Sequence, residues 1–203
     1  MVKGHNTLRS SCTGVVLAGG SNTRIGKNKA LLTIGDKRIL DYIYQTMKPF
    51  FDEILLVTND PMCYLDWDLK IVTDIFHLDG SLIGIHAGLF HAHTTHAFIT
   101  ACDTPFLKKE LINLLLEQLE SHLDVILPVT EEGNQPLCAI YSRRCLKAIE
   151  EQIRRRDLKI DRFFSEVRTK KVTEKMLRKK DHELISFFNI NTLKDLEDAR
   201  RMV

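Results

Sequence analysis

The chain has 203 residues, 44% hydrophobic and 28% charged, with a formal net charge of +2. That length suits one domain with a sizeable core, and the composition excludes a disordered or fibrous chain. The near balance of charge points to neither nucleic acid nor membrane, and no apolar run approaches the roughly 20 residues of a membrane span.

Apolar runs of two kinds alternate from the start. TGVVLA (13–18) reads as a strand, and RILDYIYQTMKPFF (38–51) as an amphipathic helix ended near Pro49. EILLVTN and KIVTD read as a second and a short third strand. SLIGIHAGLFHAH has helical spacing through Leu82, Ile85 and Leu89, and HAFITACD follows as a fourth strand. KKELINLLLEQLESHL is the clearest helix, with Leu111, Leu115 and Leu119 on one face. DVILPV and PLCAIYS read as further strands. Helices at about 143–155 and 192–202 complete the pattern, the last opened by Thr192 with Asp195 three residues on, a capping-box pair. Such alternation predicts an α/β single-domain fold, a mainly parallel, Rossmann-like sheet with helices on both faces. The first eleven residues read as a loose extension to a domain covering 12–203.

The five cysteines show no CxxC and no metal-ligand spacing, which suggests reduced thiols and a cytoplasmic protein. His91, His93 and His96 lack such partners too and read as surface or helix-end residues. Between Arg143 and Lys180 fifteen Lys/Arg face six Asp/Glu. That excess is either a solvated basic surface or a field that attracts an anionic substrate.

In a parallel sheet, ligands bind beyond the carboxyl ends of the strands. Four polar stretches fall there: the Gly-rich loop after the first strand, Thr58-Asn59-Asp60, Asp74, and Asp103-Thr104-Pro105. The loop, LAGGSNTRIGKNKALL (17–32), fails both familiar phosphate templates. Gly20 and Gly26 are one residue too far apart for a P-loop, and Asn28 stands where that motif needs Ser or Thr. Adjacent Gly19 and Gly20 break the dinucleotide fingerprint. Its glycines still let backbone N–H groups approach an anion, with Arg24 and Lys29 as cations.

L-A-G-G-x-x-x-R-x-G-x-x-K-x-L-L resembles the signature of nucleotidyltransferases that activate small molecules with a nucleoside triphosphate, within them the molybdenum cofactor guanylyltransferases. ITACDTPFL, NQPLCAIYSRRCLKAI and FFNINTLKDLEDA resemble further segments of that family, in order, over about 14–199. Ile25, Ser81 and Leu193 depart from its usual Met, Pro and Pro. The resemblance implies a nucleotide-diphospho-sugar transferase-like fold and transfer of GMP from GTP to molybdopterin with release of pyrophosphate. Leu17, Ala18, Gly19 and Gly20 would seat the nucleotide. Arg24 and Lys29 would act on the phosphates, Lys29 contacting the triphosphate and both neutralising the leaving pyrophosphate. Asn59 and Asp74 would contact the nucleotide, with Thr58 in place of Asn59 if the register shifts. Asp103 would bind Mg²⁺, and Asn189 and Asn191 would lie near the pterin. Arg24, Lys29 and Asp103 are the catalytic set. The partners implied are GTP and molybdopterin, with no nucleic acid or membrane, and passing contacts with other molybdenum-cofactor proteins. Read from the residues alone, Asp103 is equally a helix N-cap and Asp74 a strand-end turn. A cytidylyl or sugar-phosphate relative, or a non-catalytic nucleotide binder on the same fold, would share much of this pattern.

Overall fold

In the computed structural model, which describes residues 12–19 and 28–203, the first apolar run, Cys12–Leu17, is a strand (β1) buried along its whole length. A two-residue hairpin follows, β2 (Thr33–Ile34) and β3 (Lys37–Arg38), turned at Gly35 with φ of +60°. Helix α1 (Ile39–Met47) leads to β4 (Ile54–Val57) and β5 (Lys70–Val72). Helix α2 (Ser81–His91), β6 (His96–Ala101) and α3 (Lys109–Glu117) come next. Then follow β7 (Val125–Thr130), β8 (Gly133–Asn134), β9 (Cys138–Ser142) and α4 (Leu146–Arg154). The chain ends with β10 (Thr169–Thr173), the short α5 (Glu174–Leu177) and α6 (Leu193–Arg201).

Among the described residues the strands build an eight-stranded sheet in the order β10-β7-β9-β6-β1-β4-β5, with β8 paired to β7. β1 lies parallel to both β4 and β6, and β4 is parallel to β5. β9 runs antiparallel between β6 and β7, so the sheet is mainly parallel, as expected. The chain moves outward from β1 through β4 to β5, then returns to the other side of β1 as β6. That reversal opens a crevice beyond the carboxyl ends of β1 and β6.

Side-chain alternation along β1 divides the core in two. Val16 packs with Ile43 of α1, Leu111 of α3 and Leu196 of α6 on one face. Val15 and Leu17 pack with Leu82, Ile85 and Leu89 of α2 and Ile149 of α4 on the other. Helix α2 lies very close to the sheet: a Cβ placed on Gly88 would stand 2.7 Å from Val15 Cγ1. Only a hydrogen at that position lets helix and strand approach so far.

Three differences from the sequence reading have local causes. Helix α3 ends at Glu117 rather than near Leu123, because the Gln118 amide bonds back to Leu115 and Leu116 and the chain leaves through tight turns. β10 went unseen, since in TKKVT only Val172 is buried and the lysines of an edge strand hide the period. His96 is a correction: it opens β6, buried, with its ring nitrogen 3.0 Å from Thr95 Oγ1, not on the surface. Thr192 and Asp195 do cap α6 reciprocally. The extension expected over residues 1–11 lies outside the described residues. No helix among those described is long and apolar enough to cross a membrane.

Candidate active site

The carboxyl end of β1 is held from both sides. Ala18 N donates to Val57 O of β4 at 2.8 Å, and Cys102 N, just past β6, donates to Leu17 O at 2.9 Å. These bonds carry the parallel register beyond the strands and fix Leu17 and Ala18 on the rim, with Gly19 exposed after them. Gly20 and Arg24 lie outside the described residues.

The chain resumes at Asn28, whose side-chain oxygen accepts from Ala30 N at 3.2 Å and caps a single 3₁₀ turn, Lys29–Leu31. That turn aims Lys29 inward. Its Nζ donates to Asp103 Oδ2 at 3.1 Å and to Asn191 Oδ1 at 2.7 Å. The side chains of Lys29 and Asp103 are each only 18% exposed, so bulk water screens the pair poorly. Three segments far apart in sequence therefore meet at one ammonium nitrogen.

Asp103 is not a helix N-cap, since α3 begins at Lys109 with Lys108 as its cap residue. It stands in the turn after β6, where Thr104 Oγ1 donates to Ala101 O and Ile190 N donates to Asp103 O. Asn191 is oriented by the next helix: Asp195 Oδ2 accepts from the backbone N–H of both Asn191 and Thr192. Asn189 is not drawn in; it is exposed and its amide donates to Phe187 O at 3.1 Å.

A second pair forms beyond β4 and β5. Asn59 Nδ2 donates to Asp74 Oδ2 at 2.8 Å, and Asp74 N donates to Asn59 Oδ1 at 3.2 Å. Thr58 is buried with its hydroxyl accepting from Asp60 N, which leaves Asn59 as the rim residue. Burial, with Asp79 nearby, raises the Asp74 pKa against the hydrogen bond from Asn59. Its Oδ1 is buried without a partner among the described residues. Asp74 borders a cleft with Asn59, Phe76 and Asp79.

Asp103 and Asn191 direct two oxygens at one cationic nitrogen. An all-oxygen set of this kind suits Mg²⁺, which takes one or two carboxylates and completes its shell with substrate phosphate and water. Among the described residues no group of three or more His, Cys, Asp or Glu could hold a metal unaided.

Sequence reading missed Tyr64. It ends the 3₁₀ turn Pro61–Tyr64 and is fully buried. Its hydroxyl lies 2.8 Å from Asn28 Nδ2, 3.0 Å from Asn28 Oδ1 and 3.3 Å from the Ala18 carbonyl oxygen. No local pattern in PMCYLDW signals that reach. The basic segment 143–180 is partly spent on structure: Arg144 and Arg168 both bind Asp124, and Lys170 binds Glu120.

Residues 14–172 match the model of the MobA-like NTP transferase domain. The chain is 43% identical over 192 residues to a molybdenum cofactor guanylyltransferase of Desulfosudis oleivorans, covering 94% of this chain and 95% of that one. Its structure is similar to that of molybdopterin-guanine dinucleotide biosynthesis protein A from Archaeoglobus fulgidus, with TM-score 0.83, 29% identity, and 94% and 97% of the two chains covered. The 4-diphosphocytidyl-2C-methyl-D-erythritol synthase of Anaerococcus prevotii shares the fold, with TM-score 0.71 at 15% identity, covering 97% and 98%.

Proposed function

The chain belongs to the MobA-like NTP transferase family, and from that premise we propose that it is a molybdenum cofactor guanylyltransferase, transferring GMP from GTP to molybdopterin. The single observation that carries the reading at the site is the convergence of Lys29, Asp103 and Asn191 in the crevice beside β1. It supplies one cation and two oxygens where a triphosphate would enter.

A phosphate oxygen of molybdopterin attacks the α-phosphorus of GTP, the α–β P–O bond breaks, and pyrophosphate leaves with the electron pair. The nucleophile is already ionised, so no protein base is required. The protein's contribution is position and charge. Backbone at Leu17, Ala18 and Gly19 seats the nucleotide at the end of β1. Asn59 and Asp74 meet its nucleoside half. Lys29 turns from Asp103 to the phosphates and neutralises the departing pyrophosphate, a role the family resemblance extends to Arg24. Asp103 would hold Mg²⁺, which would supply charge neutralisation at the phosphates. Asn191 faces the pterin. All five cysteines are free, which supports a cytoplasmic setting.

The test is to mix the purified full chain with Mg²⁺, molybdopterin and each nucleoside triphosphate in turn and to measure pyrophosphate release. Release with GTP is expected. Release with CTP alone would make it a cytidylyltransferase, and release with none would leave a nucleotide-binding protein.

A further inference from the structure

Tyr64 stands outside every motif of the sequence and touches two of the segments that build the site. Its hydroxyl bridges the Ala18 carbonyl at the end of β1 and the side chain of Asn28. Asn28 in turn caps the turn that carries Lys29. The path runs without a gap from the seat of the nucleotide, through one phenol, to the ammonium that faces Asp103.

The phenol is itself held rigidly. Its ring is wholly buried and packs 6.0 Å from the ring of Trp67, the chain's sole tryptophan. Trp67 is fixed by a bond from its Nε1 to Asp41 Oδ1 at 2.8 Å and by the Arg38 guanidinium 4.6 Å over its face. Burial lifts the Tyr64 pKa to about 12, so the hydroxyl keeps its proton through the physiological range. Accepting from the Asn28 amide nitrogen leaves that proton for the Ala18 carbonyl or the Asn28 oxygen. A buried phenol with this many aligned partners restricts both at once, and Phe at the same place would keep the packing while releasing them.

We propose that Tyr64 is a positioning residue for the nucleotide: through Asn28 and Ala18 it holds the Lys29 ammonium in register with the end of β1, so that the triphosphate meets both together. The proposal rests on the guanylyltransferase reading for its substrate but not for its geometry. Tyr64 touches no substrate and acts through Lys29.

The experiment compares wild type, Tyr64→Phe, Asn28→Ala and the double variant. Calorimetry gives the Kd for GTP, and pyrophosphate release gives kcat and both KM values. In each single variant the Kd and KM for GTP should rise about tenfold, while the KM for molybdopterin stays put. The double variant should be little worse than either single one, because both cut the same link. A merely structural role would move both KM values and the melting temperature together, and that result overturns the proposal, as does an unchanged KM for GTP in a folded Tyr64→Phe. Should Tyr64→Phe fail to fold, Asn28→Ala decides alone. If wild type uses another nucleotide, the guanine reading falls and the same titrations with that nucleotide decide Tyr64. If it uses none, titration with inorganic pyrophosphate decides it, equal affinity in wild type and variants being the refuting result.

Discussion

The Lys29 ammonium lies 3.1 Å from the Asp103 carboxylate, although 74 positions of chain separate them. With Mg²⁺ on Asp103 as proposed, lysine and metal would compete for one carboxylate: a free divalent cation would have to displace Lys29, whereas a nucleotide offering its own phosphates to Lys29 would clear the carboxylate as it arrives.

Lys29→Met should separate these roles. With the competing charge gone, the free protein should bind Mn²⁺ several-fold more tightly, as read by electron paramagnetic resonance. Its KM for GTP should rise by about tenfold or more, since a charge-assisted contact to phosphate is lost. Unchanged Mn²⁺ affinity would show that Lys29 does not shield Asp103.

Asp103→Asn should keep the fold, because Asn can still accept from Lys29 and its backbone bond with Ile190 remains. Turnover should drop by about a hundredfold or more, the loss of an anionic oxygen for the metal. Near-normal pyrophosphate release with an unchanged melting curve would remove Asp103 from the chemistry.

Asp74→Asn should trade binding for stability. Burial raises the Asp74 pKa in the folded chain. The stability linked to its protonated form is then fully present below its unfolded value of about 3.9 and lost as pH rises through the raised value. At pH 7 the ionised carboxylate is a net cost, which Asn relieves. The variant should melt higher than wild type at pH 7, lose that advantage below about pH 4, and show a KM for GTP raised about tenfold. A lower melting temperature at pH 7 would contradict the burial argument.

Asp124 has the opposite sign. Burial pushes its pKa up, but Arg168 and Arg144 outweigh that and hold the carboxyl far below its usual range. It ties the start of β7 to Arg168, just before β10, and to Arg144, just before α4. A depressed carboxyl contributes stability above its unfolded pKa of about 3.9, lost as pH falls through the folded value. Asp124→Asn should cost about 1–3 kcal/mol at pH 7, since both arginines are half exposed and solvent screens them. In urea titrations the difference from wild type should shrink steadily below pH 4. A gap constant with pH would mean that packing, not charge, is lost.

Gly88→Ala should destabilise by about 1–3 kcal/mol. The added methyl meets the branched side chain of Val15 at 2.7 Å inside a filled core. Thermal melts check this, and Gly88→Ala with Val15→Ala should recover part of the loss.

By itself the sequence determined the α/β alternation, and its stretches just past the strands, with the family resemblance, singled out Lys29, Asp103, Asn191, Asn59 and Asp74 as candidates. Strand and helix periods and the residues just past each strand are local signals, and the capping box at Thr192 is equally local. Only the tertiary structure decided which of these residues meet. Lys29 joins Asp103 and Asn191, Asn59 joins Asp74, and Asn189 joins neither, because strand order and register place segments side by side regardless of their separation in sequence. The same holds for Tyr64, which ends a short turn of no distinctive pattern. Its importance lies in what its hydroxyl reaches, and that is a property of packing.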